Sequence, residues 1–131
     1  MSEKNKETVG KINKALSAGN FELFFDFCAD DFACTIVGEK TVKGKEAARK
    51  YMASMAAESP APPKLTPIDP ILADGDFVAA RGNMSMKNKD GKEEHYSYCD
   101  IYRFRGNKIA ELSSYTVKVD SQSKTSGAGS R

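Results

Sequence analysis

The stretch from residue 76 to residue 119 does most to limit what this chain can fold into. DFVAARGNMSMK (76–87), KEEHYSYCDIYRF (92–104) and KIAELSSYTVKV (108–119) are three β-rich runs in direct succession. Short turn signals separate them, so they predict an antiparallel meander over about 76–88, 92–105 and 108–119. A sheet built from such runs needs apolar cover on one face to be stable.

HYSYCDIYRF (95–104) identifies that face. Tyr96, Tyr98, Tyr102 and Phe104 alternate onto one side, and Asp100 stands in the middle of them. A lone carboxylate among aromatic side chains is costly unless it is hydrogen-bonded, paired or protonated. Asp100 is therefore the leading candidate for a catalytic or ligand-binding acid. The bland alternative is a structural acid that accepts hydrogen bonds from Tyr98 or Ser114.

The turns set which residues join it. Asn88-Lys89-Asp90-Gly91 suits a type I turn closed by a glycine bulge. That loop pairs Met84 with Tyr96, Gly82 with Tyr98, Ala80 with Asp100 and Val78 with Tyr102, small against large. The next turn leaves two registers open. A three-residue Arg-Gly-Asn loop, with Asn107 left-handed, puts Leu112 opposite Asp100 and brings Ala110, Ser114 and Thr116 to the same face. A two-residue Gly-Asn loop brings Glu111, Ser113 and Tyr115 there instead, because a one-residue slip inverts a strand. The first register is the more apolar, and it leaves Asp100 with no basic residue on its face. Asp100 is thus expected in an apolar pocket with a raised pKa.

Upstream, Val9, Ile12 and Leu16 recur at helical spacing and Gly19 is a stop signal. Asn20 is a good N-cap for a short helix in FELFFDFC. FACTIV (32–37) is β-rich, and a turn at Gly38-Glu39-Lys40 returns through Thr41-Val42. KEAARKYMASMAAE is amphipathic, with Ala48, Tyr51, Met52, Met55 and Ala56 on one face. SPAPPKLTPIDP carries all five prolines and predicts a loop or an irregular edge strand. The small, polar tail SQSKTSGAGSR is expected to be disordered. The order predicts one α+β domain over 1–119, helices on one face of a curved sheet, with 120–131 as a tail.

Composition excludes several function classes. A net charge of +2, with lysines interspersed among acids, makes no electrostatic case for nucleic acid. No apolar run reaches the ~18 residues of a membrane span, and no signal peptide opens the sequence. Cys28, Cys34 and Cys99 form no CxxC and no even disulfide set, which points to a reducing cytoplasm. The one histidine, His95, is too far along its strand from Cys99 to activate it, and the spacing of these residues predicts no metal site and no cofactor.

KALSAGNFELFFDFCADDF, VKGKEAARKYM and YCDIYRFRGNKIAELSSYTV resemble the nuclear transport factor 2-like superfamily, in its ketosteroid-isomerase-like and SnoaL-like branch, over about residues 5–119. The resemblance implies a cone-shaped barrel: a strongly bent, mostly antiparallel sheet wrapped around three N-terminal helices, with a blind apolar pocket. It also implies a homodimer through the outer sheet face, on which His95, Ser97, Cys99, Ile101 and Arg103 fall, with Tyr115 and Val117 in the preferred register. Asp100 takes the place of the isomerase acid that stays protonated and donates a hydrogen bond. The isomerase tyrosine aligns with Ile12 and its base with Ile36, and the acid that cyclases and epoxide hydrolases carry on the last strand is replaced by Ser113-Ser114.

Three functions fit these residues. One is an isomerase-, cyclase- or hydratase-type acid–base enzyme acting on a mostly apolar cyclic molecule. In it Asp100 is the acid, and Tyr51, Met55, Met84, Tyr96, Tyr98, Tyr102, Leu112 and Ser114 are the ligand-binding candidates. The others are a non-catalytic binder of such a molecule and a dimerisation module with a filled interior.

Overall fold

The computed structural model describes residues 2–59 and 61–119. Helix α1 spans Ser2–Ser17, and Gly19 ends it at φ 82°. Asn20 then caps α2 (Phe21–Asp26), its side chain accepting a hydrogen bond from the Leu23 amide. The helix stops two residues short of FELFFDFC, because Cys28 already opens β1 (Cys28–Ile36). Strand β2 (Lys40–Lys43) returns from β1, and α3 covers Lys45–Ala57. Then come β3 (Lys64–Asp74), β4 (Phe77–Lys87), β5 (Glu93–Arg105) and β6 (Lys108–Val119). The expected tail lies outside the described residues.

The six strands form one open sheet in the order β2-β1-β6-β5-β4-β3. β1 and β6 run parallel and the other neighbours antiparallel. The proline-rich segment takes the edge position, as strand β3. Its ladder to β4 breaks between Ile68 and Leu72, where Pro70 has no N–H to give. α1 packs against β3 and β4, and α3 against β1 and β2, so helices cover both ends of one face. Val9, Ile12, Phe24, Phe25, Phe32, Tyr102, Phe104 and Ile109 fill the space between. On α3 only Ala48 is fully buried; Met55 is 48% exposed.

The β4–β5 register is the one the Asn88–Gly91 turn predicts, with Asn88 N–H bonded to the Lys92 carbonyl and Gly91 at φ 82°. The β5–β6 hairpin corrects both readings of its turn. Arg105 pairs with Lys108 across a two-residue loop, and Gly106 (φ 67°), not Asn107, takes the positive φ. A bulge at Ala110 follows, between the pairs Phe104–Ile109 and Arg103–Glu111. That extra residue returns Leu112, Ser114 and Thr116 to the inner face. Asp100 therefore faces Ser114, and Leu112 faces Tyr102 instead.

Candidate functional site

One residue row crosses the centre of the sheet on its inner face: Ile36, Ser114, Asp100 and Ala80, on β1, β6, β5 and β4. Ser114 Oγ donates to Asp100 Oδ1 at 2.8 Å. Burial pushes the Asp100 carboxyl from the ordinary 3.8 up to about 6, and the Ser114 hydrogen bond pulls the other way. Both protonation states are thus accessible near neutral pH, which is what proton transfer to or from a ligand requires.

Rows on either side frame it. Toward the core lie Cys34, Leu112, Tyr102 and Val78. Burial and the nearby Asp100 charge raise both Tyr102, well above 10, and the Cys34 thiol, to about 11. Tyr51 on α3 approaches from the helix layer, with Lys40 Nζ 5.2 Å from its ring centroid. On the other side lie Thr116, Tyr98, Gly82 and Pro67. The Tyr98 phenol lies across Gly82, where an added Cβ would sit 2.6 Å from its hydroxyl. That close approach is why position 82 needs glycine. Burial first, then Asp100, pushes Tyr98 up to about 12.

The next row outward departs from the expected apolar wall. Tyr96 donates to Glu94 Oε1 at 2.9 Å, and Asn88 Nδ2 donates to Glu94 Oε2 at 3.1 Å. Lys118, opposite Tyr96, reaches Glu94 Oε2 at 3.4 Å. The inner face does carry a basic residue, and Glu94 already pairs with it. These donors hold Glu94 below its usual range, with Asn88 contributing most. Two clefts open at this end of the sheet, one of about 530 Å³ around its tip (Asn88, Lys92, Glu93, Glu94, His95, Lys118, Val119) and one of about 340 Å³ lined mainly from the outer face by Thr66, Asn83, Ser85, His95, Ser97 and Val119. Asp100 lines neither.

The structure thus brings Asp100, Ser114, Tyr98, Tyr102 and Leu112 together, puts Tyr96 and Met84 at the cleft end, and leaves Met55 exposed. Sequence reasoning missed two participants. Cys34 reaches this face through the parallel β1–β6 pairing, for which the sequence holds no local signal. Glu94 had a signal, since counting back by twos from Asp100 lands on it. Arg103 lies on the outer face, paired with Glu111 at 3.1 Å, and the three cysteines are free. No group of side chains among the described residues is arranged to hold a metal ion, and no helix is long and apolar enough to cross a membrane.

The same fold recurs in known structures. A nuclear transport factor 2-like protein of unknown function from Cytophaga hutchinsonii superposes with a TM-score of 0.69 at 28% identity, covering 86% of this chain and 98% of its own. An LEH-like epoxide hydrolase from M. tuberculosis gives 0.76 at 16% identity, over 88% and 84%. SalBIII, an epoxide hydrolase/cyclase-like enzyme of pyran ring formation in salinomycin, gives 0.76 at 18%, over 88% and 92%. At such identities the two enzymes establish the α+β cone fold and nothing finer. No curated protein matches the chain at a significant level. The sequence model of the SnoaL-like domain matches residues 9–112, from the first core position of α1 to Leu112 beside the Asp100 row, and the chain belongs to that family.

Proposed function

We propose that this chain binds a mostly apolar, cyclic small molecule against the inner face of its sheet and that Asp100 acts on it as an acid, in an isomerase-, cyclase- or hydratase-type reaction. The observation that carries the reading is the partly buried Asp100 carboxyl, raised to about 6 with a single serine hydroxyl bonded to it. A protonated Asp100 gives its proton to an oxygen of the ligand. The carboxylate left behind keeps the Ser114 hydrogen bond and regains a proton from product or water. Names of the structural neighbours, an epoxide hydrolase and a ring-forming enzyme, agree with acid-assisted chemistry at a ring oxygen. The free cysteines agree with a reducing cytoplasm.

The test is a carbon-13 titration of the Asp100 carboxyl, with a midpoint expected near 6. A midpoint near the model-peptide value of about 3.9 would refute the acid and leave a solvated structural carboxylate.

One observation favours a second reading, a binder without catalysis. Ile36 stands directly beside Ser114, and Ile12 is fully buried, so the positions of an isomerase base and tyrosine are both apolar. Saturable binding of fused-ring ketones and epoxides with no turnover would select it.

We also propose that two copies associate through the outer sheet face. Tyr115 and Val117 stand there 48% and 63% exposed. Light scattering that returns the 14.3 kDa monomer mass at micromolar concentration would count against this.

A further inference from the structure

The Tyr98 hydroxyl is the one buried side-chain polar atom without a hydrogen-bond partner among the described residues. Tyr98 itself is 6% exposed. Buried tyrosine hydroxyls normally find a partner, because leaving a donor unmet forfeits its hydration without return. Nothing in the packing forces the ring here by accident. Gly82 opens a slot under it, and a Cβ at 82 would stand 2.5 Å from the Thr66 carbonyl and 2.6 Å from the Tyr98 hydroxyl. The hydroxyl therefore points toward β3, while Asp100, two residues along the same strand face, leans to Ser114 on β6. Thr66 also borders the 340 Å³ cleft, but with Asn83, Ser85, His95 and Ser97 on the outer face; the slot and the Tyr98 ring lie on the inner face, the one that carries Asp100.

We propose that Tyr98 is a second polar contact for the ligand and that the ligand carries two oxygens on one apolar ring skeleton. The first oxygen meets Asp100 and the second accepts from the Tyr98 hydroxyl. The proposal rests on the reading of Asp100 given above and narrows its ligand class. Since the two side chains lean to opposite neighbouring strands, one ligand oxygen does not serve both, and a mono-oxygenated ring leaves Tyr98 unmet. Tyr98 is a specificity-determining residue in this scheme, and Gly82 is the residue that admits it.

Two fused-ring probes separate the outcomes: 1-tetralone, with one oxygen, and 6-hydroxy-1-tetralone, with a second at the far end of the ring system. Calorimetric titration of the full chain is expected to show the two-oxygen probe binding more tightly. Tyr98→Phe should cost that probe about fivefold, the scale of one hydrogen bond, and leave 1-tetralone unchanged. Asp100→Asn should weaken both. With carbon-13 at the tyrosine hydroxyl carbon, the Tyr98 resonance should move with 6-hydroxy-1-tetralone and stay still with 1-tetralone. This readout needs no variant. If Asp100→Asn weakens both probes while Tyr98→Phe changes neither and the resonance stays still, Tyr98 is not a ligand contact and the proposal fails alone. If neither probe binds, or Asp100→Asn changes nothing, the reading of Asp100 fails and takes this one with it. A Tyr98→Phe variant that melts far lower with unaltered binding would assign the hydroxyl to a structural water.

Discussion

Asp100 and Glu94 lie six residues apart on the same face of the same strand, and their surroundings drive them in opposite directions. Asp100 has one hydroxyl for a partner and a core around it, and its carboxyl rises to about 6. Glu94 has Asn88, Tyr96 and Lys118 at the open end of the sheet, and its carboxyl is held down. Sign and proton affinity on one strand face are therefore set by depth and by the number of donors, not by the residue type. The inner end of β5 is built to carry a proton, and the outer end to carry a charge.

The largest expected break in this comparison comes from Asp100→Asn. The folded-state value of Asp100 lies above its unfolded one. The stability it contributes is therefore complete below about pH 4 and is lost as pH climbs through about 6. The asparagine variant escapes that loss. It should gain on the order of 2 kcal/mol relative to wild type at pH 7.5, discounted for the partial exposure of the site, and nothing at pH 4. Urea unfolding at the two pH values measures it, and an equal difference at both would sink the account.

Ser114→Ala comes next. It removes the donor that favours the charged Asp100, so the titration midpoint should move above 6, with a cost of about 1–2 kcal/mol at pH 7.5 that shrinks under acid. A midpoint that falls instead would mean that Ser114 does not hold the carboxylate.

Glu94→Gln should have the smallest effect. Here the folded value is lowered, so the stabilisation is present above the unfolded carboxyl value and fades as pH drops through the folded one. The variant should unfold slightly more easily at pH 7, the same as wild type at pH 2.5, and the gap should narrow in 1 M salt because the cluster is solvent-exposed. The Asp100 effects should hold in the same salt. A salt response of equal size at both carboxylates would erase the distinction between the two ends of the strand.

Local chemistry explains how much of this could be read beforehand. Asn88 and Gly91 fix a turn type by their own backbone preferences, so the β4–β5 register, and Ala80 opposite Asp100, follow from the sequence. The helix caps at Gly19 and Asn20 are legible for the same reason. The β5–β6 hairpin was not, because its loop and its bulge act in opposite senses and only packing decides between them. Leu112 is buried at 8% while Tyr115 is 48% exposed, and a straight ladder from the two-residue loop would exchange their sides. The parallel β1–β6 contact joins residues nearly eighty positions apart, and no local pattern predicts it. That contact delivers Cys34 and Ile36 to the site. The sequence therefore showed the acid and its β5 neighbours but not the full wall around them.

The bulge at Ala110 also makes β6 unequal in its tolerance to gain and loss of residues. Upstream of it Ile109 faces in, and downstream Glu111 faces out and Leu112 in, so the two halves alternate correctly only if Ala110 is left out of the count. Removing Ala110 would leave a regular ladder with every later side chain on its present side. Removing Leu112 or Ser113 instead would also keep Ser114 opposite Asp100, but it would turn Glu111 inward, opposite Tyr102 in the core. Ala110 is thus a spare beat in the strand, a residue whose loss moves no other side chain of the hairpin from its present side.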